Sequence, residues 1–356
     1  MILDDVAGDA DPPVPRSLWG SHKGLPRKFV SLTPARPGAR RHSRNVLAIV
    51  APGQGAQTPG FLAHWLEDPG FAERLAGYSA VVGLDLARYG TEADAETIRD
   101  TAIAQPLLVA SSLAVAADLL PSFDGVGLVA GHSVGELGAL ALAGVVSPAE
   151  ALTLVRERGL AMAEASAARP TSMTAVIGGD RDEVLAAIES AGLTPANNNG
   201  SGQIVAAGTV EQLAALADNA PRRARLIPLS VAGAFHTVHM APAVDRLRAK
   251  ARDIHPEEPT TALLSNADGA VVSSGVEALD RIVAQVANPV RWDLCMGTMG
   301  ELGVTGLLEL PPSGTLTGIA KRNLKGVELF SLNTPDQLDE AREFCRTHSQ
   351  STPESE

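Results

Sequence analysis

A single serine stands between two glycines in the segment GLVAGHSVGELGAL, residues 127 to 140, where Ser133 is flanked by Gly131 and Gly135. A serine hydroxyl becomes a useful nucleophile when a nearby base accepts its proton and N–H donors stabilise the resulting oxyanion. A sharp turn between a strand and a helix exposes the hydroxyl, and the N–H of the next residue, here Val134, is a natural oxyanion donor. The segment predicts acyl chemistry at Ser133, and it fits a hydrolase as well as an acyl transferase.

The base for such a serine is expected to be one of the eight histidines. His236, in VAGAFHTVHM, is the preferred candidate because it lies where the chain leaves a predicted small subdomain, a usual place for a cleft. Spacing alone does not exclude His239, whereas His132 is expected to point to the other side of the turn. A third group should orient the base. No acid stands out for this role; AQVANPVRWD offers Gln285 and Asn288, and a backbone carbonyl could accept the Nδ1 proton instead.

Apolar runs predict the elements that position these residues. VLAIV (46–50) and VGLVA (126–130) are typical of buried strands, and each is followed by a glycine-containing turn. GELGALALAG then predicts a helix, and QPLLVASSLAVAADLL (105–120) predicts a largely buried one. The segment SPAEALTLVRERGLAMAEASA (147–167) predicts a long helix that begins with a serine cap and a proline in its first turn.

The pattern changes scale between residues 170 and 232, where short strands and helices alternate as two β-α-β units. Such a unit is of ferredoxin-like type. We expect it to be inserted into a larger, mostly parallel α/β domain formed by residues 45–169 and 233–345. Residues 1–44 are predicted to be a flexible N-terminal extension and residues 346–356 a flexible tail.

Composition excludes several classes of protein. The formal net charge of the 356-residue chain is −12, whereas a nucleic-acid-binding protein would carry a basic surface. Two distant cysteines, Cys295 and Cys345, provide neither a disulfide framework nor a structural zinc motif. No apolar run reaches the roughly 20 residues that cross a bilayer. We therefore expect a soluble cytoplasmic protein that binds neither nucleic acid nor membrane.

Seven motifs together resemble one family, the malonyl-CoA:acyl carrier protein transacylases that serve fatty-acid and polyketide synthesis. The resemblance covers nearly all of residues 45 to 345. The motifs occur in the family's order and spacing: APGQGAQTPG, GHSVGELGA, VRERGLAMAEA, NNNGSGQIVAAG, VAGAFHTVHMAPAV, QVANPVRW and LTGIAKR.

The resemblance implies an α/β-hydrolase-like domain with a ferredoxin-like insert, and it implies a role for each matching residue. Ser133 would be the acylated nucleophile and His236 its base. The backbone carbonyl of Gln285 would orient His236. The backbone N–H groups of Gln54 and Val134 would form the oxyanion hole.

Specificity would come from residues outside the serine turn. By the resemblance, Arg158 would bind the free carboxylate of the malonyl group, since a guanidinium can hold a carboxylate by two parallel hydrogen bonds. Asn199 would lie near the cleft as a minor contributor. GAFH (233–236) and Val134 resemble malonyl-selective more than methylmalonyl-selective members. The turn LPPSGTL (310–316) departs from the family's GPG-like turn, and we expect it to lie away from the chemistry.

The expected reaction is a ping-pong transfer of malonate from malonyl-CoA, through Ser133, to the phosphopantetheine thiol of acyl carrier protein. No metal or other cofactor is expected, and a monomer should suffice. An acidic carrier protein would dock on a basic segment, either PRRAR (221–225) or KRNLK (321–325). Two alternatives remain at this point: a serine hydrolase or thioesterase with water as the acceptor, and a non-catalytic scaffold that keeps the fold.

Overall fold

The computed structural model of the chain describes residues 45–231 and 233–349. The extension predicted at residues 1–44 lies outside the described residues, as does the tail from residue 350 onward. The strands are β1 Leu47–Ala51, β2 Leu128–Gly131, β3 Thr171–Gly178, β4 Thr194–Asn198, β5 Gln203–Thr209, β6 Ala224–Pro228, β7 Ala262–Leu264, β8 Val271–Val272, β9 Val290–Arg291, β10 Gly306–Glu309 and β11 Glu328–Ser331. The helices are α1 Pro69–Val82, α2 Leu86–Thr91, α3 Thr101–Leu119, α4 Gly135–Leu142, α5 Pro148–Ala167, α6 Arg181–Ser190, α7 Val210–Asp218, α8 Ala241–Ala251, α9 Gly275–Gln285, α10 Trp292–Glu301, α11 Thr315–Asn323 and α12 Leu338–His348.

The larger sheet has the strand order β11-β10-β1-β2-β7-β8, and its pairs are parallel except for β7 with β8. Its two central strands, β1 and β2, are buried along their whole length, as the apolar runs predict. Ala51 pairs with Gly131, so both strands end at the same level. The loops that follow β1 and β2 therefore meet at the carboxyl edge of the sheet, where open α/β sheets bind their ligands.

Two helices build the wall behind this edge. Helix α3 is long and apolar enough to cross a membrane, but 78% of its apolar window is buried inside the protein, which identifies it as a core helix. Helix α5 packs against α3. It begins at the predicted cap, where Ser147 and Glu150 form a reciprocal capping box and Pro148 occupies the first turn.

The second sheet has the order β6-β3-β5-β4-β9. Between residues 171 and 228 the chain runs β-α-β-β-α-β, and the four strands of this segment pair antiparallel, which is the topology of a ferredoxin-like unit. The fifth strand, β9, pairs parallel with β4. Strand β9 belongs to a segment that the sequence assigns to the large domain. Two residues carry no strand signal of their own, so the pairing of β9 with β4 could not be predicted.

The carboxyl-terminal helix extends further than predicted. Helix α12 continues to His348, whose side chain is buried and bonded to Thr305 and Glu328. The prediction of a flexible tail starting at residue 346 is therefore wrong for residues 346–348. Its polar sequence concealed a helix that packs against β10 and α3.

Candidate active site

The predicted strand, turn and helix are present around Ser133, which lies between β2 and α4. Ser133 has φ 54°, in the left-handed region, at a cost of about 1–3 kcal/mol for a residue with a side chain. A β-carbon on Gly131 would lie 2.0 Å from the backbone of Gly135, and one on Gly135 would lie 2.3 Å from the carbonyl oxygen of Ala51. Both glycines are thus required for the sharp turn, because no larger residue fits either position.

The structure brings His236, and not His239, to the serine. Ser133 Oγ lies 2.7 Å from His236 Nε2. The other ring nitrogen, Nδ1, donates to the backbone carbonyl of Gln285 at 2.8 Å. Because a carbonyl only accepts, Nδ1 carries the proton and Nε2 is free to accept the serine hydroxyl. Asn288, the alternative orienting residue, is exposed and bonds to Ala284 through its side chain.

Burial keeps His236 neutral. Desolvation lowers its pKa to about 3, the positive charge of Arg158 adds to this effect, and the hydrogen bond to Gln285 opposes it. A neutral imidazole is the form that can take a proton from serine. The base is therefore available throughout the physiological pH range.

Arg158 projects from α5 to the same point and is almost completely buried, with 1% of its surface exposed. Its Nη2 donates to Ser133 Oγ at 3.3 Å and to Gln285 Oε1 at 2.9 Å, and its Nη1 donates to Gln105 Oε1 at 2.7 Å. All of these acceptors are neutral, and Nε has no partner among the described residues. Burial lowers the pKa of Arg158 to about 10, with Glu136 opposing the shift, so the guanidinium remains charged at neutral pH. The site thus holds a buried cation beside Ser133 without a directly bonded anion.

The backbone N–H groups of Gln54 and Val134 come from the two loops that meet at the sheet edge. A β-carbon on Gly53 would lie 2.8 Å from the carbonyl oxygen of His132, which places the loop after β1 directly against the serine turn. Val134 caps α4, so its N–H lies at the positive end of the helix. Within residues 45–231 and 233–349, neither N–H donates to a protein acceptor. The side chain of Gln54 is held by Thr101 and Gln105.

Asn199 reaches the site through His132. Its Oδ1 accepts from His132 Nε2 at 2.9 Å, and Trp292 lies edge-on to the same ring with centroids 5.6 Å apart. His132 lines the cavity beside Ser133 but does not bond to the serine hydroxyl. Desolvation lowers the pKa of His132, so this ring is a neutral wall of the site.

The site is completed by three polar residues that the sequence did not single out. Gln105 supports Arg158 from the second turn of the apolar helix α3. Glu136 and Asn266 lie beneath the serine turn, where both are buried, and both bond to the side-chain amide of Gln285. Desolvation raises the pKa of Glu136 to about 7, although its hydrogen bonds to Asn266 and Gln285 oppose the shift. A glutamate or glutamine inside an apolar helix is a usable signal for Glu136 and Gln105, whereas nothing in the surrounding sequence marks Asn266.

The cavity above Ser133 is small, about 70 Å³. Its lining includes polar residues and also apolar ones, among them Met162, Met173, Val205, Leu229 and Phe235. A larger cavity of about 630 Å³, lined by Gln203, Met296 and Asn323 among others, includes neither Ser133 nor His236. Among the described residues, no group of three or more acidic, histidine or cysteine side chains is placed to hold a metal ion. Ser133 lines the small cavity and its Oγ also accepts from Arg158, so a short acyl ester on Ser133 that ends in a carboxylate would lie near the guanidinium.

Comparison with known proteins relates the chain to one family of acyl transferases. Residues 49–346 match a family model described as an acyl transferase domain. The chain is similar to the malonyl CoA-acyl carrier protein transacylase of Mycobacterium tuberculosis (strain ATCC 25618 / H37Rv), with 50% identity over 298 residues, which cover 83% of this chain and 99% of that protein. The protein of the same name from Escherichia coli (strain K12) is 35% identical over 310 residues, covering 83% and 99%.

Solved structures share the fold. The crystal structure of MCAT from Mycobacterium tuberculosis superimposes with a TM-score of 0.80 at 50% identity, covering 83% of this chain and 99% of that chain. A second structure, PlMCAT:AntF (holo), shows a type II PKS acyl-carrier protein in complex with its malonyl-transacylase. It has a TM-score of 0.78 at 32% identity, covering 84% of this chain and 99% of that chain.

Proposed function

This chain belongs to the malonyl-CoA:acyl carrier protein transacylase family, and we infer that it works through a malonyl ester on Ser133. It transfers the malonyl group from malonyl-CoA to the phosphopantetheine thiol of acyl carrier protein, and so supplies extender units for fatty-acid or polyketide synthesis. The assignment of individual residues to steps of this reaction is our proposal.

The first half-reaction forms the ester. His236 Nε2 takes the proton of Ser133 as Oγ attacks the thioester carbonyl, and the tetrahedral oxyanion accepts from the N–H groups of Gln54 and Val134. The C–S bond then breaks, and the imidazolium returns the proton to the departing CoA thiolate. The Gln285 carbonyl stabilises the imidazolium and keeps the ring in place.

The second half-reaction reverses these steps with another thiol. His236 takes the proton of the carrier protein's phosphopantetheine thiol, and the sulfur of that thiol attacks the ester carbonyl. The C–O bond to Ser133 breaks, and His236 returns the proton to the serine. The site needs no metal or other cofactor for either half.

One observation carries the choice of acyl group: the buried cation of Arg158 lies 3.3 Å from Ser133 Oγ, and the acceptors it bonds are neutral. A malonyl group on Ser133 places a carboxylate within reach of this guanidinium, which otherwise has no directly bonded anion. Simple acyl esters gain nothing from such a charge. Phe235 lines the small cavity above Ser133, and we propose that it disfavours a branched acyl chain, a preference worth about 1–3 kcal/mol.

The acceptor distinguishes transfer from hydrolysis. The enzyme is loaded with malonyl-CoA labelled in the malonyl group, freed of excess substrate, and then mixed either with buffer or with holo acyl carrier protein. We expect a labelled enzyme that survives in buffer and passes its label to the carrier protein. Rapid release of malonate into water in both mixtures would favour a hydrolase. The absence of labelled Ser133 would favour the non-catalytic scaffold.

The carrier protein docks, we propose, on the segment KRNLK rather than PRRAR. Arg322 bonds to Gln203 at 3.3 Å, and Asn323 accepts from the backbone of Ser201, so this segment adjoins the turn that carries Asn199 to the serine site. Lys321, Arg322 and Lys325 are exposed there.

The competing segment is less suited to bind an acidic partner. Arg222 and Arg223 share a surface cavity with Asp180 and Glu183, whose negative charges offset theirs. The double variant Lys321→Glu, Arg322→Glu should raise the KM for carrier protein while the rate of acylation by malonyl-CoA stays unchanged. The matched pair Arg222→Glu, Arg223→Glu should leave both unchanged, and the opposite pattern would assign docking to PRRAR.

We also propose a cytoplasmic monomer that does not associate with membranes. Both substrates, the acidic carrier protein and a CoA ester, are water-soluble, so the enzyme meets them without binding a membrane. The cluster around Ser133 is formed within a single chain, so the proposed reaction does not need a second subunit. Size-exclusion chromatography with light scattering tests the monomer.

A further inference from the structure

Asn266, in the turn between β7 and β8, is completely buried beneath the serine turn. Its Nδ2 donates to the carbonyl oxygen of Gly131 at 2.8 Å. Its Oδ1 accepts from the backbone N–H of Ser133, also at 2.8 Å. One side-chain amide therefore bonds to the backbone on both sides of His132 and spans the turn that carries the nucleophile.

This turn needs an external support. Ser133 has a left-handed φ, and the glycines on either side contribute no side chains that could hold it. The bond from Ser133 N–H to Asn266 also has a chemical consequence, because that N–H is no longer free to donate to an oxyanion. The oxyanion donors are thereby limited to the N–H groups of Gln54 and Val134.

The same amide reaches the residue that orients the base. Asn266 Oδ1 accepts a second bond, at 3.2 Å, from Nε2 of Gln285, whose carbonyl holds His236. The backbone N–H of Asn266 donates to Glu136 at 3.0 Å. A shift of Asn266 would therefore displace the nucleophile and the support of its base together.

We propose that Asn266 is a positioning residue for acylation, which sets the placement of Ser133 Oγ against His236 and excludes the Ser133 N–H from the oxyanion hole. It acts through the turn and not by contact with the substrate. The proposal rests on the malonyl-serine reaction inferred above.

The test is pre-steady-state acylation of the full-length enzyme by malonyl-CoA. The burst amplitude counts correctly folded sites, and the burst rate constant reports on their geometry. We expect Asn266→Ala to lower the acylation rate constant about 100-fold, the effect of a misplacement of about 1 Å, while the KM for malonyl-CoA remains close to that of the wild type. Thr298→Ala is the matched control. It removes a bond to Gly269 in the same β7–β8 turn without touching the serine turn, and should leave the rate constant unchanged.

Asn266→Asp provides a second test with nearly the same shape. The protonated carboxyl group can donate to Gly131 and accept from Ser133, as the amide does, whereas the carboxylate has no donor. The acylation rate constant relative to wild type should therefore rise as the pH falls from 8 to 5.5. Glu136 and Cys295 face this site from α4 and α10, and Arg158 and His236 lie above it. Because a carboxyl group at residue 266 would couple to Glu136, the ratio is measured in the Glu136→Gln background, where it should rise in the same way.

Two results would overturn the proposal. One is a burst that shrinks in amplitude but keeps its rate constant in Asn266→Ala, which would make Asn266 a residue of stability alone. The other is a ratio for Asn266→Asp that stays near one at every pH, and this result decides the matter even if the alanine variant does not fold. Failure of the proposed function is distinguishable in the wild-type enzyme, which would then either show no burst or release its malonyl group to water without passing it to carrier protein.

Discussion

Replacing Arg158 with alanine should change which acyl group the enzyme accepts. The guanidinium is fully buried and bonds only neutral oxygens, so it is available to a substrate carboxylate. Malonyl-CoA presents that carboxylate and acetyl-CoA does not. The variant should therefore lose malonyl transfer selectively, and not acyl transfer in general.

The magnitude follows from the contacts. Two charge-assisted hydrogen bonds at about 1.5–3 kcal/mol each amount to about 3–6 kcal/mol of transition-state stabilisation for the malonyl substrate. At about 1.4 kcal/mol per factor of ten, kcat/KM for malonyl-CoA should fall by roughly 10² to 10⁴. Acetyl-CoA has no carboxylate, so it loses only what both substrates lose, namely the hydrogen bond from the charged guanidinium to Ser133 Oγ and the contact with Gln285. This shared loss cancels in the ratio. The ratio of the two specificity constants should therefore fall at least tenfold.

The assay measures kcat/KM for transfer from malonyl-CoA and from acetyl-CoA to holo acyl carrier protein, side by side. Arg156→Ala is the matched control, since Arg156 lies on the same helix but donates to the carbonyl of Ala102. It should leave the ratio unchanged. Equal losses for both substrates in Arg158→Ala would refute the reasoning, because they would make Arg158 a structural support of Ser133 and Gln285.

Three further outcomes are expected. Because burial holds the pKa of His236 near 3, the base should stay neutral and acylation should continue between pH 7 and pH 5. The check is the pH dependence of the single-turnover acylation rate. An inflection near pH 6.5 that persists in Glu136→Gln would contradict the expectation. The lowered pKa of His236 contributes stability that is present above pH 6.5 and is lost as the pH falls towards 3. The raised pKa of Glu136 contributes stability that is present below pH 4.5 and is lost as the pH rises through about 7. These opposite slopes cancel in the wild type between pH 4.5 and 6.5. In Glu136→Gln only the His236 slope remains, so the free energy of unfolding measured in urea should fall, relative to wild type, by about 1.4 kcal/mol for each unit by which the pH decreases. Parallel curves for the two proteins would contradict this expectation. Gly131→Ala should abolish acylation because its β-carbon would lie 2.0 Å from Gly135, while Gly138→Ala in α4, with its nearest neighbour 3.7 Å away, should remain active in the same burst assay.

Local features of this site could be predicted from the sequence because their causes are local. The spacing of Gly131, Ser133 and Gly135 predicts the sharp turn, and the structure shows that β-carbons at either glycine would collide with the backbone. The cap of α5 follows from Ser147 and Glu150, which bond to each other within one helical turn. Burial of α3 follows from its apolar composition.

Other features had no local cause. Strand β9 is two residues long and exists because β4 lies beside it. The buried end of α12 at His348 depends on Thr305 and Glu328, which approach it from β10 and β11. Asn266 escaped notice because its polar turn resembles any surface turn until the sheet brings it beneath Ser133.

By itself, the sequence determined which serine is the candidate nucleophile, the turn that exposes it and the elements on either side, since each depends on the residue types and spacing of a short segment. His236 and Gln285 were candidates among others, and the role of Arg158 came from resemblance. Only the tertiary structure decided that these side chains meet at one serine, together with Glu136 and Asn266. They come from different loops and helices, and the hydrogen bonds of Ser133 and His236 within this group measure 2.7 to 3.3 Å. These bonds depend on how the loops and helices pack at the edge of one sheet.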